Sequence, residues 1–179
     1  RRARDSLCLS ASGLFNSKVR RTTQKVFEES GSTMLPKVLE QSVYEYAEKL
    51  ADEVEYIGAG TVEFIYNLDA DAIYFMEMNT RLQVEHPVTE LVSGIDIVSA
   101  QFDIAQGKSI AKLKPKQKGF AIEVRVTAEK VIYKNGEIDF APFPGTINEC
   151  VLPEHDHIEL ITSAGAGKQV SPFYDSMIV

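Results

Sequence analysis

The chain of 179 residues has the length of one domain or of two small ones, and 44% of its residues are hydrophobic. These values exclude a disordered or collagen-like chain. A formal net charge of −7 argues against nucleic acid or an anionic membrane as a partner. Cys8 and Cys150 lie far apart, which is typical of thiols in a reducing compartment, the cytoplasm or the mitochondrial matrix.

The ends of the sequence predict a piece cut from a longer protein. The sequence has no initiator Met and stops inside an apolar run, whereas natural termini are usually polar. No apolar run approaches the roughly 20 residues of a membrane span.

The first half of the chain reads as a helix, a hairpin and a second helical region. Residues 1–35 are basic and irregular in pattern, with an insert around 6–19. A helix begins with Pro36 in its first position, and apolar residues recur there at steps of three and four until Gly58 and Gly60 end it. Two β-rich runs, 61–66 and 72–79, form a hairpin. A helix then starts at Pro87, restarts with Asp96 as N-cap and stops at Gly107.

The rest of the chain, from about Lys118, is mainly β. Apolar and polar residues alternate along 121–127, and turns are predicted at Asn135-Gly136 and Pro144-Gly145. The sequence therefore predicts an α+β fold with two parts, 1–112 and 113–179.

Strand pairing in the hairpin predicts a cluster of carboxylates. A turn centred on Ala70 makes partner numbers sum to 140, so that Glu63 faces Glu77, Thr61 faces Asn79 and Ile65 faces Phe75. Glu63, Glu77 and Asn79 then project from one face, with opposed Cβ atoms about 5 Å apart. A proton, a cationic side chain or a metal such as Mg²⁺ or Mn²⁺ would offset the repulsion. The alternative is a solvated hairpin face with two unrelated glutamates.

An anion-binding group and a base are predicted just after the hairpin. In an extended chain, alternate side chains lie on the same face. If the chain stays extended here, the face of Glu77 and Asn79 also carries Arg81, Gln83 and Glu85. The planar guanidinium of arginine matches a carboxylate, bicarbonate or phosphate. An ordinary surface Arg–Glu pair is the alternative.

These residues lie in motifs that resemble the biotin carboxylase family of ATP-grasp enzymes. The motifs are 20–26 (RRTTQKV), 58–64 (GAGTVEF) and 75–90 (FMEMNTRLQVEHPVTE), with weaker similarity in 121–129 (AIEVRVTAE), 143–145 (FPG) and 172–178 (PFYDSMI). The resemblance implies the second half of an ATP-grasp fold, followed by part of a mainly β C-terminal domain. It departs from the family in the longer segment between Arg4 and Arg20 and in Thr23, where the family usually has His.

The resemblance also implies a reaction and its residues. MgATP and bicarbonate give carboxyphosphate, whose CO₂ is transferred to biotin on a carrier domain, with a carboxyltransferase as a further partner and an oligomeric parent protein. Metal ligation falls to Glu63 and Glu77, with Asn79 close by, and bicarbonate binding to Arg81, Gln83 and Val84. Glu85 is the base, and Lys25 touches both bicarbonate and the γ-phosphate. ATP binding involves Gln24, Lys25, Ile65, Met76 and Glu77, and biotin binding involves Arg125 and Asp175. Arg125 is also catalytic, because it stabilises the enolate of biotin.

Other readings stay open at this point. One is an ATP-grasp ligase of the carbamoyl-phosphate type, and another is a non-catalytic module that contacts other subunits. The first domain and the phosphate-covering lid of the family are absent from the sequence, so we expect this chain alone to be inactive. His86, before Pro87, is predicted to be structural rather than catalytic, and His155 and His157 to be ordinary polar loop residues.

Overall fold

A computed structural model of the chain describes residues 6–8, 15–19, 25–32, 34–173 and 176–179. The chain divides into two compact units, Arg1–Glu123 and Val124–Val179. The observed mixture of helices and strands agrees with the predicted α+β class. The predicted boundary between residues 112 and 113 stays a prediction.

The described residues of the first unit form three helices and the strands of two sheets. One sheet has the order β1 (Ser6–Cys8), β4 (Gly58–Asn67), β5 (Ala72–Asn79), with β1 parallel to β4. The other has the order β2 (Phe15–Val19), β3 (Lys25–Ser30), β6 (Ile122–Val124). The helices are α1 (Lys37–Glu53), α2 (His86–Ser93) and α3 (Ile97–Ala105).

The irregular sequence pattern of residues 1–35 predicts no strand, but three strands lie in the described part of this segment. Two hydrogen bonds join the end of β3 to the residue before β6. The amide of Ser30 donates to the carbonyl of Ala121 over 2.8 Å, and the Ser30 hydroxyl accepts from the Ala121 amide over 2.7 Å. These pairings lie 91 residues apart in the sequence, so no local pattern could indicate them.

Helix α1 is shorter than predicted. It ends at Glu53, and Pro36 is its N-cap rather than its first helical residue. The buried face is formed by Val43, Ala47 and Ala51, at steps of four. Gly58 and Gly60 do not end the helix but begin β4. A Cβ on Gly60 would lie 3.1 Å from the carbonyl oxygen of Asn79, so the glycine permits close approach of the two strands.

The hairpin of β4 and β5 pairs as predicted from Thr61 to Glu63 and differently between Glu63 and its turn. Thr61 faces Asn79 and Glu63 faces Glu77, as the sum of 140 requires. A bulge after Glu63 then shifts the register, so Phe64 faces Phe75, and Ile65 faces Tyr74 instead of Phe75. The bulge is the physical reason for the error, because an extra residue on one strand changes the sum by one.

Helix α3 packs against β4 of the hairpin, and α2 packs against β3. As predicted, Asp96 is the N-cap of α3, and its carboxylate accepts from the Ser99 amide over 2.7 Å. Ile97, the first residue of α3, is buried against Ala59 of β4, and Leu82 packs on this pair. A second apolar cluster holds Val88, Val92 and Ala121. Burial of Leu82 fixes the middle of the loop against the core.

The second unit is mainly β, as predicted. Its main element is the hairpin of β7 (Glu129–Lys134) and β8 (Glu137–Pro142). Asn135 and Gly136 form its turn with φ of 53° and 80°, which is the conformation that an Asn-Gly hairpin turn requires. β9 (Gly145–Thr146) pairs with β10 (Gln169–Val170). None of the described helices has both the length and the apolar composition needed to cross a membrane.

Replacing Ser30 with Ala should cost about 1–3 kcal/mol in the free energy of unfolding, because the buried Ala121 amide would lose its acceptor. Urea unfolding measures this loss. Ser42→Ala is the matched control, since the Ser42 hydroxyl donates to Val38 on the exposed side of α1. That variant should change the free energy by at most about 0.5 kcal/mol. Equal effects of the two substitutions would contradict the assigned role of Ser30.

Candidate functional site

One lysine joins two carboxylates that come from distant parts of the chain. The ammonium nitrogen of Lys25, at the start of β3, lies 2.9 Å from Glu63 Oε1 and 2.9 Å from Glu85 Oε1. The side chains of Glu63 and Glu85 are only 13% and 7% exposed, and that of Lys25 is 21% exposed. Such a shielded arrangement makes these ion pairs stronger than pairs on the open surface.

Two amide side chains donate to the same Glu63 oxygen as Lys25. Asn79 Nδ2 donates to Glu63 Oε1 over 3.1 Å and to Glu77 Oε1 over 3.0 Å, so one amide group ties together the two opposed carboxylates of the hairpin. Gln83 Nε2 donates to the same Glu63 oxygen over 3.2 Å. The structure thus brings Glu63, Glu77 and Asn79 to one face, as the pairing argument predicts.

The hairpin carboxylates have open acceptor atoms. Among the described residues, no hydrogen bond reaches the second oxygen of Glu63 or of Glu77. Two carboxylate oxygens with spare lone pairs form a donor set that suits a hard divalent cation. The described part of the chain contains no group of three or more His, Cys, Asp or Glu side chains that could hold a metal.

The carboxylates keep Lys25 protonated. Burial alone would lower the pKa of the Lys25 ammonium, but hydrogen bonds and charge interactions with Glu85 and Glu63 outweigh burial and raise this pKa above its usual value. A cationic side chain is one of the predicted means of offsetting the repulsion between the carboxylates, and Lys25 is such a side chain.

The segment after the hairpin is not extended, which corrects the parity argument for Arg81, Gln83 and Glu85. The strand ends at Asn79, a bend follows at Arg81, and Glu85 is the N-cap of α2 with φ −74° and ψ 3°. A turn, not strand alternation, brings Gln83 and Glu85 to the cluster. Arg81 is exposed, and its Nη1 donates to the Leu82 carbonyl over 3.2 Å.

A shallow pocket opens beside this turn. Its lining includes Gly60, Thr61, Arg81, Gln83, Glu85 and His86. Gln83 Oε1 is buried and has no hydrogen-bond partner among the described residues. The amide is oriented by Glu63, since turning it over would place two acceptor oxygens together. Gln83 therefore presents an acceptor that needs a donor from a ligand or from water.

The other predicted site residues are exposed, belong to the second unit or lie outside the described residues. Ile65, Met76 and Val84 are 54%, 46% and 44% exposed, respectively. Arg125 is half-buried and belongs to the second unit. Gln24 and Asp175 lie outside the described residues. The structure adds to the pocket lining Thr89 and Ile97, which the sequence analysis did not identify and which no local motif would indicate.

The chain matches the family described as carbamoyl-phosphate synthase L chain, ATP binding domain, over residues 6–113. Biotin carboxylase 1 of Bacillus subtilis is 42% identical over 163 residues, which cover 89% of this chain and 35% of that protein. The mitochondrial propionyl-CoA carboxylase alpha chain of Caenorhabditis briggsae is 39% identical over 89% of this chain and 21% of its own length.

Solved structures give the same result. The biotin carboxylase domain dimer of the 2-oxoglutarate carboxylase of Hydrogenobacter thermophilus, in complex with MgADP, ADP and bicarbonate, is similar with a TM-score of 0.82. The sequence identity is 37%, covering 93% of this chain and 36% of that chain. The predicted resemblance to biotin carboxylases is confirmed. The chain spans about a third of the length of the biotin carboxylases that it matches.

Replacing Lys25 with Met should destabilise the protein by about 3 kcal/mol, because two poorly exposed carboxylates would lose their counter-ion. The loss is measured as a change in the free energy of unfolding near neutral pH. Since the folded-state pKa of Lys25 is raised, its contribution is complete below the unfolded value of 10.5 and disappears as the pH rises through the raised pKa.

Lys37→Met is the matched control for this variant. The Lys37 side chain is 96% exposed and lies 3.7 Å from Glu40, so its loss should change stability by less than about 0.5 kcal/mol. The assignment of a shielded ion-pair network would be wrong if Lys25→Met cost no more than Lys37→Met.

Proposed function

Since the chain belongs to the family of the carbamoyl-phosphate synthase L chain, ATP binding domain, we propose that it forms the second half of a biotin carboxylase. The whole protein then uses MgATP and bicarbonate to carboxylate biotin on a carrier domain. The proposal is supported by relatives that are named biotin carboxylases and by a similar domain whose complex holds MgADP and bicarbonate.

The observation that carries this proposal is the double ion pair of Lys25. Its ammonium contacts Glu63, the predicted metal-side carboxylate, and Glu85, the predicted base, at 2.9 Å each. A cation held between these two groups lies where the transferred phosphate and bicarbonate would meet. Phosphoryl transfer depends mainly on such positioning and charge stabilisation.

Glu63 and Glu77 would hold the divalent metal, with Asn79 keeping their carboxylates together. Their second oxygens, which carry spare lone pairs, fit Mg²⁺ or Mn²⁺. When bound, the metal would neutralise charge on the phosphate oxygens of ATP. The protein's own contribution is to fix the spacing of the carboxylates through the Asn79 amide and the strand pairing of Glu63 with Glu77.

Glu85, Arg81, Gln83 and Val84 would form the bicarbonate side of the site. Glu85 is 7% exposed, and its charge is balanced by Lys25, so it can act as a base that is protected from bulk water. Arg81 offers an exposed guanidinium for the anion, and Gln83 offers a buried acceptor for a hydroxyl donor. The carboxylate of Glu85 would take the proton of bicarbonate as a bicarbonate oxygen attacks the γ-phosphorus of ATP. The bond from the γ-phosphorus to the bridging oxygen would break, so that ADP leaves and carboxyphosphate forms.

The remaining assignments rest on the resemblance to the family. ATP binding involves Gln24, Lys25, Ile65, Met76 and Glu77, and biotin binding involves Arg125 and Asp175. Residues 1–112 would belong to the ATP-grasp half and residues 113–179 to the C-terminal domain. A carboxyltransferase partner, an oligomeric parent protein and a reducing compartment belong to the same proposal.

Bicarbonate- and biotin-dependent release of ADP by the full-length natural protein tests the proposal. Turnover should require both bicarbonate and free or carried biotin. A ligase of the carbamoyl-phosphate type is the second candidate, favoured by the description of the matched family. Such an enzyme would use bicarbonate and ATP with an amine donor and would not respond to biotin. ATP turnover that ignores both bicarbonate and biotin would contradict both candidates.

Replacing Glu77 with Gln should lower metal-dependent turnover by about a hundredfold or more, because one of two charged ligands is lost. Turnover is measured in the full-length protein over a range of Mg²⁺ and Mn²⁺ concentrations. Glu53→Gln, on the exposed side of the last turn of α1, is the control and should leave the metal requirement unchanged. An unaltered metal requirement and rate in Glu77→Gln would refute the ligand assignment.

Glu85→Gln and Arg125→Gln should affect different half-reactions. Loss of the base should depress every bicarbonate-dependent step, including ATP cleavage. Loss of Arg125 should lower carboxybiotin formation by about a hundredfold and spare bicarbonate-dependent ATP cleavage more, because this cation would stabilise charge on biotin. Phosphate release and labelled carbon fixed on biotin are followed in the same samples. Strictly proportional losses in Arg125→Gln, or intact ATP cleavage in Glu85→Gln, would contradict this division.

A further inference from the structure

The turn that carries Gln83 and Glu85 is held by the side chain of His86. His86 is the first residue of α2 and lines the same pocket as Gln83 and Glu85. Its ring nitrogen Nδ1 lies 2.8 Å from the backbone carbonyl oxygen of Gln83. The His86 backbone amide donates to the same oxygen over 3.3 Å.

The chemistry of this contact fixes the form of the imidazole. A carbonyl oxygen can only accept, so Nδ1 must carry the proton, and the neutral ring then has its lone pair on Nε2. The contact persists when both nitrogens are protonated. Pro87 has no amide proton to donate, so the ring adds a second donor to the Gln83 carbonyl beside the His86 amide.

The Gln83 residue is therefore held at both ends. Its carbonyl is held by His86, and its side-chain amide is held by Glu63 Oε1 at 3.2 Å. Between these two contacts, the orientation of Gln83 determines where the buried acceptor Oε1 points. The next turn of chain places the Glu85 carboxylate against Lys25.

We infer that His86 is a positioning residue for anion binding, which acts through its Nδ1–H bond to the Gln83 carbonyl and not through its Nε2. It orients the acceptor of Gln83 and the carboxylate of Glu85 without touching the substrate. This inference rests on the proposed function only for the identity of the anion, bicarbonate.

Isosteric substitutions in the full-length protein separate the two ring nitrogens. The amide nitrogen of Asn can replace Nδ1, that of Gln can replace Nε2, and Leu replaces neither. In His86→Gln and His86→Leu, the KM for bicarbonate should rise about tenfold, the effect of losing one hydrogen bond, while the KM for ATP changes by less than about threefold. His86→Asn should stay within about threefold of the wild type in both constants. His157→Gln, in an exposed loop of the second unit, is the control for losing a histidine and should change neither constant.

Several results would overturn the inference. One is a KM for bicarbonate that rises as much in His86→Asn as in His86→Leu. Another is a KM for bicarbonate in His86→Gln that equals that of His86→Asn. A third is a parallel rise of the KM values for bicarbonate and ATP in His86→Gln and His86→Leu. Absence of bicarbonate-dependent turnover in the wild type would refute the proposed function instead. The inference about His86 is then tested by finding which ring nitrogen carries the proton.

Nitrogen–proton correlation spectra, recorded at a pH where the imidazoles are neutral, show which ring nitrogen carries the proton. His86 should carry its proton on Nδ1. His155 is an internal reference of opposite form, because its Nδ1 accepts from the His157 amide over 3.2 Å and its proton must lie on Nε2. The same proton position in both rings would overturn the role of the His86 Nδ1–H bond.

Discussion

The site depends on one half-buried cation that pairs with two acidic groups. Lys25 reaches Glu63 on the hairpin and Glu85 before α2, each at 2.9 Å. Without it, the carboxylates of Glu63 and Glu85 would lose the cation that joins them. Because burial penalises uncompensated charges, the ammonium makes the arrangement possible, and the carboxylates in turn raise its pKa. The open carboxylate oxygens of Glu63 and Glu77 are the basis for the divalent cation proposed next to the pair.

Strand pairing and side-chain packing around the cluster bring these groups together. Gly60 lets β4 approach the carbonyl of Asn79, and the regular pairing from Thr61 to Glu63 places Glu77 opposite Glu63. Burial of Leu82 against Ala59 and Ile97 fixes the loop that follows. Each of these contacts is a packing or backbone constraint, and together they leave the side chains of the cluster little freedom to separate. Such preorganisation is what a charge-stabilising site requires.

The sequence predicted the parts of this site that depend on local periodicity. Strand alternation and a simple pairing sum placed Glu63, Glu77 and Asn79 on one face, and the pairing survived because the bulge lies beyond Glu63. The same bulge made the predicted Ile65–Phe75 pair wrong, since one inserted residue leaves no periodic signal. The assumption of an extended chain failed at Arg81, because tertiary packing of Leu82 and the start of α2 impose a turn. The contacts of Lys25 span 38 and 60 residues, a separation at which no local pattern carries information.

A double-mutant cycle between Lys25 and Glu85 shows whether the shared cation organises the site. Lys25→Met, Glu85→Gln and the double variant are compared with the wild type by their free energies of unfolding. The double variant should be more stable than the sum of the single losses implies, with a coupling energy of about 1–3 kcal/mol. A coupling energy within about 0.3 kcal/mol of zero would mean that the two groups act independently, and it would contradict the claim that a shared cation organises the site.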